Sequence, residues 1–467
     1  MIHTMKRAHE ERAKTLFIFN RNLRLEDNPS LTAAAEFGLP VFTAFIFDPR
    51  QTEPHAYQSL PALRFMLDSI TELVERIASR GGRLAFFHGD PSEITERLIR
   101  EFAVRHVCTS RDYTPFARSR EKSIAETCAR NGIPFSCVRS VLINEPEEIH
   151  KKDGTPYAVF TPYFRAASLH DPGNPLPIPH ITFSTEKYAF ECGSQFITEM
   201  RSSMPHNDSA IHPGRSAAES IVSRIGDFTS YEVLRDYPAD NATTGLSAHL
   251  KFGTISPREI IAVAERIHGG GNSLIRQLYW RDFFTHIAFH FPHVFGSSWR
   301  SKYDRLEWDN NNSHFDAWKN GETGFPLVDA GMRELATTGR MHGRARMLCA
   351  SFLVKDLHID WRLGERYFAS RLTDYDPAVN NGNWQWCAST GCDAQPYFRI
   401  FSPQMQLTRF DPDALYVKQF IPELRALSPR DIFSLEKKGS PVKDYPSPVI
   451  DHRMESRESI ARFSRLR

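Results

Sequence analysis

The chain has 467 residues, enough for two or three domains and a sizeable core. Its apolar fraction of 41% is that of an ordinary globular protein, and no apolar run is long enough to cross a bilayer, so no membrane association is expected. With 58 Lys and Arg against 56 Asp and Glu, the formal net charge is only +2, and any nucleic-acid surface must be a local patch.

Residues 1–14 are polar and mixed in charge, without the apolar stretch of a secretory signal, and a cytoplasmic location is expected. The cysteines, Cys108, Cys128, Cys137, Cys192, Cys349, Cys387 and Cys392, are odd in number and show no CxxC spacing. That fits reduced thiols better than a disulfide framework or a zinc site, and no metal is expected.

Five short apolar runs, at 16–19, 41–47, 84–87, 106–109 and 135–138, are rich in aromatic or β-branched residues and predict buried parallel strands. Between the second and third, Leu63, Met66, Leu67, Ile70, Leu73, Val74 and Ile77 repeat at helical spacing, and Gly81 and Gly82 supply the stop. Another helix starts near Ser92, with Ile94, Leu98 and Phe102 inward. Strands separated by helices imply an α/β domain over 14–145, an open parallel sheet of Rossmann-like type with right-handed crossovers. No GxGxxG follows the first strand, which argues against a dinucleotide oxidoreductase, although a ligand can still sit at the carboxyl edge of such a sheet.

From 172 to 220, Pro, Gly, Ser, His and Asn are frequent and periodicity is poor, so 146–220 reads as a long interdomain connector crossing the surface. The remainder, 221–460, reads as all-α. Ser256-Pro257-Arg258-Glu259 is a capping box with Pro at the first helical position, followed by Ile260, Ile261, Ala264 and Ile267 facing inward and a stop at 269–271. Further helices are predicted over 274–290, from Pro326 to near Gly339, and over 342–357. All seven tryptophans, Trp280, Trp299, Trp308, Trp318, Trp361, Trp384 and Trp386, lie in this half. Two readings of them stay open: a large aromatic core, or a site that uses indoles for stacking or electron transfer.

Several segments of the helical half resemble the photolyase and cryptochrome family. The longest is Asn380-Asn381-Gly382-Asn383-Trp384-Gln385-Trp386, continuing through Ala388-Ser389-Thr390-Gly391 to Pro396-Tyr397-Phe398-Arg399-Ile400-Phe401. Others are Thr323-Gly324-Phe325-Pro326-Leu327-Val328-Asp329-Ala330, Gln277-Leu278-Tyr279-Trp280-Arg281-Asp282-Phe283-Phe284 and Thr243-Thr244-Gly245-Leu246-Ser247. At the start, Arg21-Asn22-Leu23-Arg24-Leu25-Glu26-Asp27-Asn28-Pro29 is similar to the family's opening motif. The resemblance spans nearly the whole chain and is strongest to the class I cyclobutane pyrimidine dimer photolyases.

It implies FAD in the helical domain, working in its reduced form, FADH−. Tyr231 and the turn Thr243, Thr244, Gly245, Leu246 and Ser247 would hold the phosphates, where hydroxyls and free backbone N–H groups suit an anion. Arg281 and Tyr375 belong to the same cofactor set. Arg346 and Asp374 match an ion pair against the flavin ring, Asp376 the acid near its edge, and Asn380 the residue facing flavin N5, where a neutral acceptor suits a reduced flavin. Trp384, Trp361 and Trp308 match a three-indole electron chain to the surface. Photolyases flip their lesion out of the duplex. Trp280 and Trp386 match the walls of the receiving pocket and Met347 its floor. Arg235, Arg281, Arg344, Arg399 and Gln406 match DNA contacts, and Arg340 and Lys355 would extend the basic rim.

At two pocket positions the sequence departs from the cyclobutane-dimer pattern: Gln277 stands where Glu is usual, and Gly343 where Asn is usual. The (6-4) enzymes carry His at the positions held here by Gly343 and Met347, so (6-4) chemistry lacks its acid. Phe116-Ala117 stands where an Asn-Glu pair holds folate, which favours a deazaflavin or second flavin as antenna chromophore. The implied activity is light-driven repair of cyclobutane dimers in ultraviolet-damaged DNA by a monomeric deoxyribodipyrimidine photolyase. The alternatives are a cryptochrome-type photoreceptor, for which only about fifty residues after Pro412 leave little room for a signalling tail, and, less favoured, a (6-4) photolyase. A nucleotide-binding transferase built on the N-terminal sheet would leave the tryptophans and the 380–401 stretch unexplained.

Overall fold

The computed structural model describes residues 13–204 and 211–466. Strands β1 (Lys14–Phe19), β2 (Val41–Phe47), β3 (Leu84–His88), β4 (Val104–Ser110) and β5 (Phe135–Val138) form one parallel sheet in the order β3-β2-β1-β4-β5. All five expected strands are present. Along β1 and β2 the side chains alternate between two apolar layers: Phe17, Phe19, Phe45 and Phe47 face one, Leu16, Ile18, Phe42, Ala44 and Ile46 the other. Both layers are covered, so every residue of these two strands is buried and no polar alternation appears in the sequence.

The Leu60–Ala78 helix lies on the first layer through Phe65, Leu67, Ile70, Leu73 and Ile77, and starts where the Ser59 hydroxyl accepts from the Ala62 N–H. Pro91–Glu101 is capped by Asp90 and packs Leu98 and Ile99 on the second. The strand order reverses between β1 and β4, which opens a crevice at their carboxyl ends, and the segment of Asn20 and Arg21 leaves the sheet there.

The 146–220 region differs from a bare surface crossing. It carries helices Phe160–Ala167, Gly193–Ser202 and Arg215–Ser223. Val41 exchanges backbone hydrogen bonds with Thr182 and Ser184, and Phe183, Phe196 and Met200 pack onto the first apolar layer. Within Gly193–Ser202 only Ile197 is buried, so no helical period shows in its sequence. Phe160 and Tyr163 pack instead with Phe283 of the helical half.

Pro257–His268 opens with the expected capping box, both of its hydrogen bonds being present, and closes at Gly269. Ile260, Ile261 and Ala264 are buried, but Ile267, expected inward, is 43% exposed, because it sits in the last turn beyond the packed face. The principal helices that follow are Ser273–His290, Pro326–Thr338, Gly343–Lys355, Trp361–Arg371 and Pro377–Ala388. They build two apolar clusters, one around Phe160, Phe283 and Ile287, the other around Trp318, Phe352 and Trp384.

The two halves meet where Gly253 ends the short Ser247–Phe252 helix. Gly253 has φ +68°, and a Cβ there would lie 2.0 Å from the Arg21 carbonyl oxygen, so only glycine lets the helix end against this loop. The Leu23 N–H donates to the Phe252 carbonyl at 3.1 Å, and Arg21 Nε to the Lys251 carbonyl at 3.0 Å.

Candidate active site

A cavity of about 540 Å³ opens between the apolar clusters of the helical half, in the size range of cofactor sites. One wall is the 243–247 turn and the start of Ser247–Phe252. That helix has no side-chain cap; the Thr244 hydroxyl accepts only from the Leu246 N–H, at 3.4 Å, so its first backbone N–H groups stay available to an anion. The Thr243 hydroxyl accepts from Arg340 at 3.2 Å. Thus neither threonine caps the helix. Tyr231, Arg235, Gly245 and Lys251 line the same region.

The opposite wall comes from Gly343–Lys355 and Pro377–Ala388. Arg346 Nη2 bonds the Asp374 carboxylate at 2.9 Å. Asn380 donates through Nδ2 to the Glu365 carbonyl at 3.2 Å and to the Glu365 carboxyl at 2.9 Å. With Nδ2 so engaged, Oδ1 of Asn380 remains as the acceptor for the cavity. Glu365 is buried, and that burial pushes its carboxyl up to about 7, with Asn380 opposing.

Asp376 has a structural role that its sequence position did not reveal: it is the N-cap of Pro377–Ala388, accepting from the Ala378 and Val379 N–H groups. Its other oxygen pairs with Arg21, which also bonds Asp112 at 2.9 Å, so one guanidinium bridges the two domains. Burial works to raise the Asp376 carboxyl, but Arg21, Lys251 and Arg281 together hold it well below the usual range. Burial, reinforced by the Arg21 charge, pulls Lys251 down to about 8. Arg281 donates to the Val141 carbonyl at 2.9 Å and lies 3.4 Å from Asp282.

At the mouth stand Gln277, Trp280, Gly343, Arg344, Met347 and Trp386. Arg344 is clamped to Asp236 at 2.8 Å and lies over the Phe410 ring at 4.1 Å. A Cβ on Gly343 would meet nothing within 4 Å, so the mouth is open on that side. Tyr375 and Trp384 line the cavity as well.

Five residues of the expected set lie outside it. Trp361 is buried on the next helix, and one turn later Gly364 lets that helix press against the Trp384 ring, since a Cβ there would sit 2.2 Å from the indole. Trp308 is half-buried and packs with Tyr303, Leu306 and Phe463. Arg399 is exposed on the segment after Trp386, and Gln406 is half-buried on the Pro403–Phe410 helix. The rim expectation for Lys355 is corrected: it is 1% exposed, donates to the Ala388 carbonyl at 3.3 Å and sits over the Phe463 ring, sealed from solvent. Sequence reasoning missed Lys251, Glu365 and Phe160. Lys251 follows Ser247 by one helical turn, a signal that was there to read; Glu365 meets Asn380 only through tertiary packing.

The donor set fits FAD. Arg281, Lys251, the threonine hydroxyls and the uncapped helix start suit phosphates, and the Arg346–Asp374 pair and the Asn380 oxygen suit a flat polar ring.

Comparison with known proteins agrees. The family model described as DNA photolyase matches residues 15–180, and the one described as FAD binding domain of DNA photolyase matches 274–465. The deoxyribodipyrimidine photo-lyase of Halobacterium salinarum is 34% identical, over 97% of this chain and 99% of its own. The Escherichia coli enzyme of that name is also 34% identical, over 96% and 98%. Among solved structures, the Sulfolobus tokodaii photolyase with two FAD molecules has a TM-score of 0.88 at 39% identity, covering 97% of this chain and all of its own. The Agrobacterium tumefaciens class III photolyase has 0.89 at 33%, covering 97% and 98%. This is a two-domain flavoprotein fold with a nucleotide-sized cavity in its helical half. The chain belongs to the DNA photolyase family.

Proposed function

We propose that this protein splits cyclobutane pyrimidine dimers in DNA by light-driven electron transfer from reduced FAD. The observation that carries this reading is the one cavity that joins the polar groups of Asn380, Arg346 and Asp374 to an aromatic mouth of Trp280 and Trp386, in a chain whose full-length relatives bear the dimer-photolyase name. When bound, reduced FAD supplies the absorption of blue light and the electron. The Asn380 oxygen would accept from the reduced ring, and Glu365 holds the amide in that orientation. Trp280 and Trp386 sandwich the flipped bases with Met347 beneath them, while Arg235, Arg344, Arg399 and Gln406 engage the DNA around the mouth. Trp384, Trp361 and Trp308 would relay electrons from an external reductant, such as a thiol at the surface, toward oxidised flavin under illumination.

The antenna is a second flavin. Support comes from the two-FAD Sulfolobus tokodaii relative and from Phe116, whose ring has Arg50 at 5.0 Å and Arg120 at 5.8 Å instead of the carboxylate expected for folate. Two measurements test the reading. The purified protein should be yellow or blue and release two flavins per chain; colourless protein that cannot be reconstituted with FAD contradicts it. Chromatography of ultraviolet-damaged oligonucleotides after blue illumination should show cyclobutane dimers restored and (6-4) products untouched, because Gly343 and Met347 offer no imidazole. Repair of (6-4) products alone would overturn the lesion assignment.

A further inference from the structure

Trp280 forms a wall of the cavity, yet its outer face is held from outside. Its ring stacks on Phe160 with centroids 3.6 Å apart and planes 10° apart. The Arg276 guanidinium lies 5.0 Å from the centre of the Phe160 ring and 4.8 Å from that of Phe164. Arg276 and Trp280 are one turn apart on Ser273–His290, so both reach the same neighbouring helix. The backbone N–H of Phe160 donates to Asp393 at 3.0 Å, which ties the stack to the segment between Trp386 and Arg399.

Arg276 differs from three of the arginines near the mouth. Arg344 is paired with Asp236, Arg346 with Asp374 and Arg281 with Asp282. Arg276 has no carboxylate partner among the described residues and is half-buried. A guanidinium stacks through its faces and donates through its edges, so two aromatic neighbours can fix its plane while its N–H edges stay free. A pre-oriented planar cation with a free edge suits a phosphodiester better than a mobile lysine does, because less side-chain freedom is lost on binding.

We propose that Arg276 binds a backbone phosphate of the damaged strand next to the flipped dinucleotide, so that the stack of Arg276, Phe160 and Trp280 braces the pocket wall against the DNA backbone. The inference rests on the repair reading, since the phosphate belongs to the DNA that the mouth receives. Phosphate contacts carry no base information, so Arg276 adds affinity to damaged and undamaged duplex alike.

Dark binding by fluorescence anisotropy tests this, using one duplex with a single cyclobutane dimer and its undamaged twin over a series of NaCl concentrations. Arg276→Gln should weaken both complexes about tenfold at low salt and reduce the slope of log K against log salt by about one. Arg276→Lys should keep the wild-type slope, because the charge remains, with intermediate affinity, because the planar stack is lost. Arg276→Glu provides an independent arm should the Gln variant not fold, with a larger loss of slope. A wild-type slope in Arg276→Gln overturns the proposal; an affinity loss at that unchanged slope assigns the residue to packing of Trp280 instead. Wild-type protein with no preference for the dimer would contradict the repair reading, while a slope reduced in Arg276→Gln on undamaged duplex would still support the phosphate contact.

Discussion

Two side chains decide how this cavity differs chemically from a generic cofactor pocket. Gln277 lines the mouth, and its amide makes no intramolecular hydrogen bond among the described residues, so its N–H is free for a ligand carbonyl. A donor aimed at charge that develops in a dry pocket is worth about 3 kcal/mol in well-studied enzymes. Gln277→Leu should therefore lower both dark affinity for a defined dimer and the quantum yield of its repair, whereas Gln277→Glu, which can also share a proton, should raise the yield. Equal repair and binding by the Leu variant would show that residue 277 does not touch the lesion. The second is Glu365, whose folded-state carboxyl titrates near 7 against an ordinary value of 4.5. A raised folded value means that its contribution to stability is fully present below the unfolded value and is lost as pH rises through the folded one. Thermal melts of wild type and Glu365→Gln should thus diverge between pH 4.5 and 7, with wild type losing about 2–3 kcal/mol relative to the variant across that window. Parallel pH profiles would refute the buried protonated carboxyl.

Among the elements, the contact between Trp361–Arg371 and Pro377–Ala388 positions Trp384, one of three indoles that line the cavity. Gly364 leaves the space that the Trp384 ring fills, and Phe368 meets the same ring edge-on at 4.9 Å. Gly364→Ala should push Trp384 from its seat at a cost of about 1–3 kcal/mol, typical of overpacking, and slow photoreduction of oxidised flavin. An unchanged melting temperature and photoreduction rate would show the contact to be slack. At this scale much was legible. Five apolar runs became five strands, and the capping box of Ser256 and Glu259 marked a helix start without error. The Gly193–Ser202 helix was not legible, because a surface helix with one buried residue has no period to read. Ile267 misled because a helix end keeps the spacing of its core face after the packing has stopped.

For the whole molecule, Arg21 links the sheet domain to the cavity by meeting Asp112 on one side and Asp376 on the other. Removing one partner of a buried pair leaves uncompensated charge, at a cost of about 3–5 kcal/mol. Arg21→Met should lower the melting temperature and loosen flavin retention together, because the Asp376 carboxyl, now held low by Arg21, would lose its principal counter-charge. Loss of neither would mean the bridge is dispensable. The sequence marked Arg21 only as part of a motif, and its partners lie 91 and 355 residues away, beyond any local pattern. Glu365 was hidden too, since it meets Asn380 from another helix, whereas Thr243, Trp384 and Asn380, inside contiguous motifs, do line the cavity. The repair reading requires that the electron start on reduced FAD in this cavity and go directly to the flipped dimer. The most direct measurement is blue-light repair of one defined cyclobutane dimer by chemically pre-reduced wild type and pre-reduced Trp384→Phe, each against a dark control. Repair by both in light and by neither in darkness is the expected result, with photoreduction of oxidised flavin blocked only in the variant. Absence of light-dependent repair by pre-reduced wild type would rule out that route.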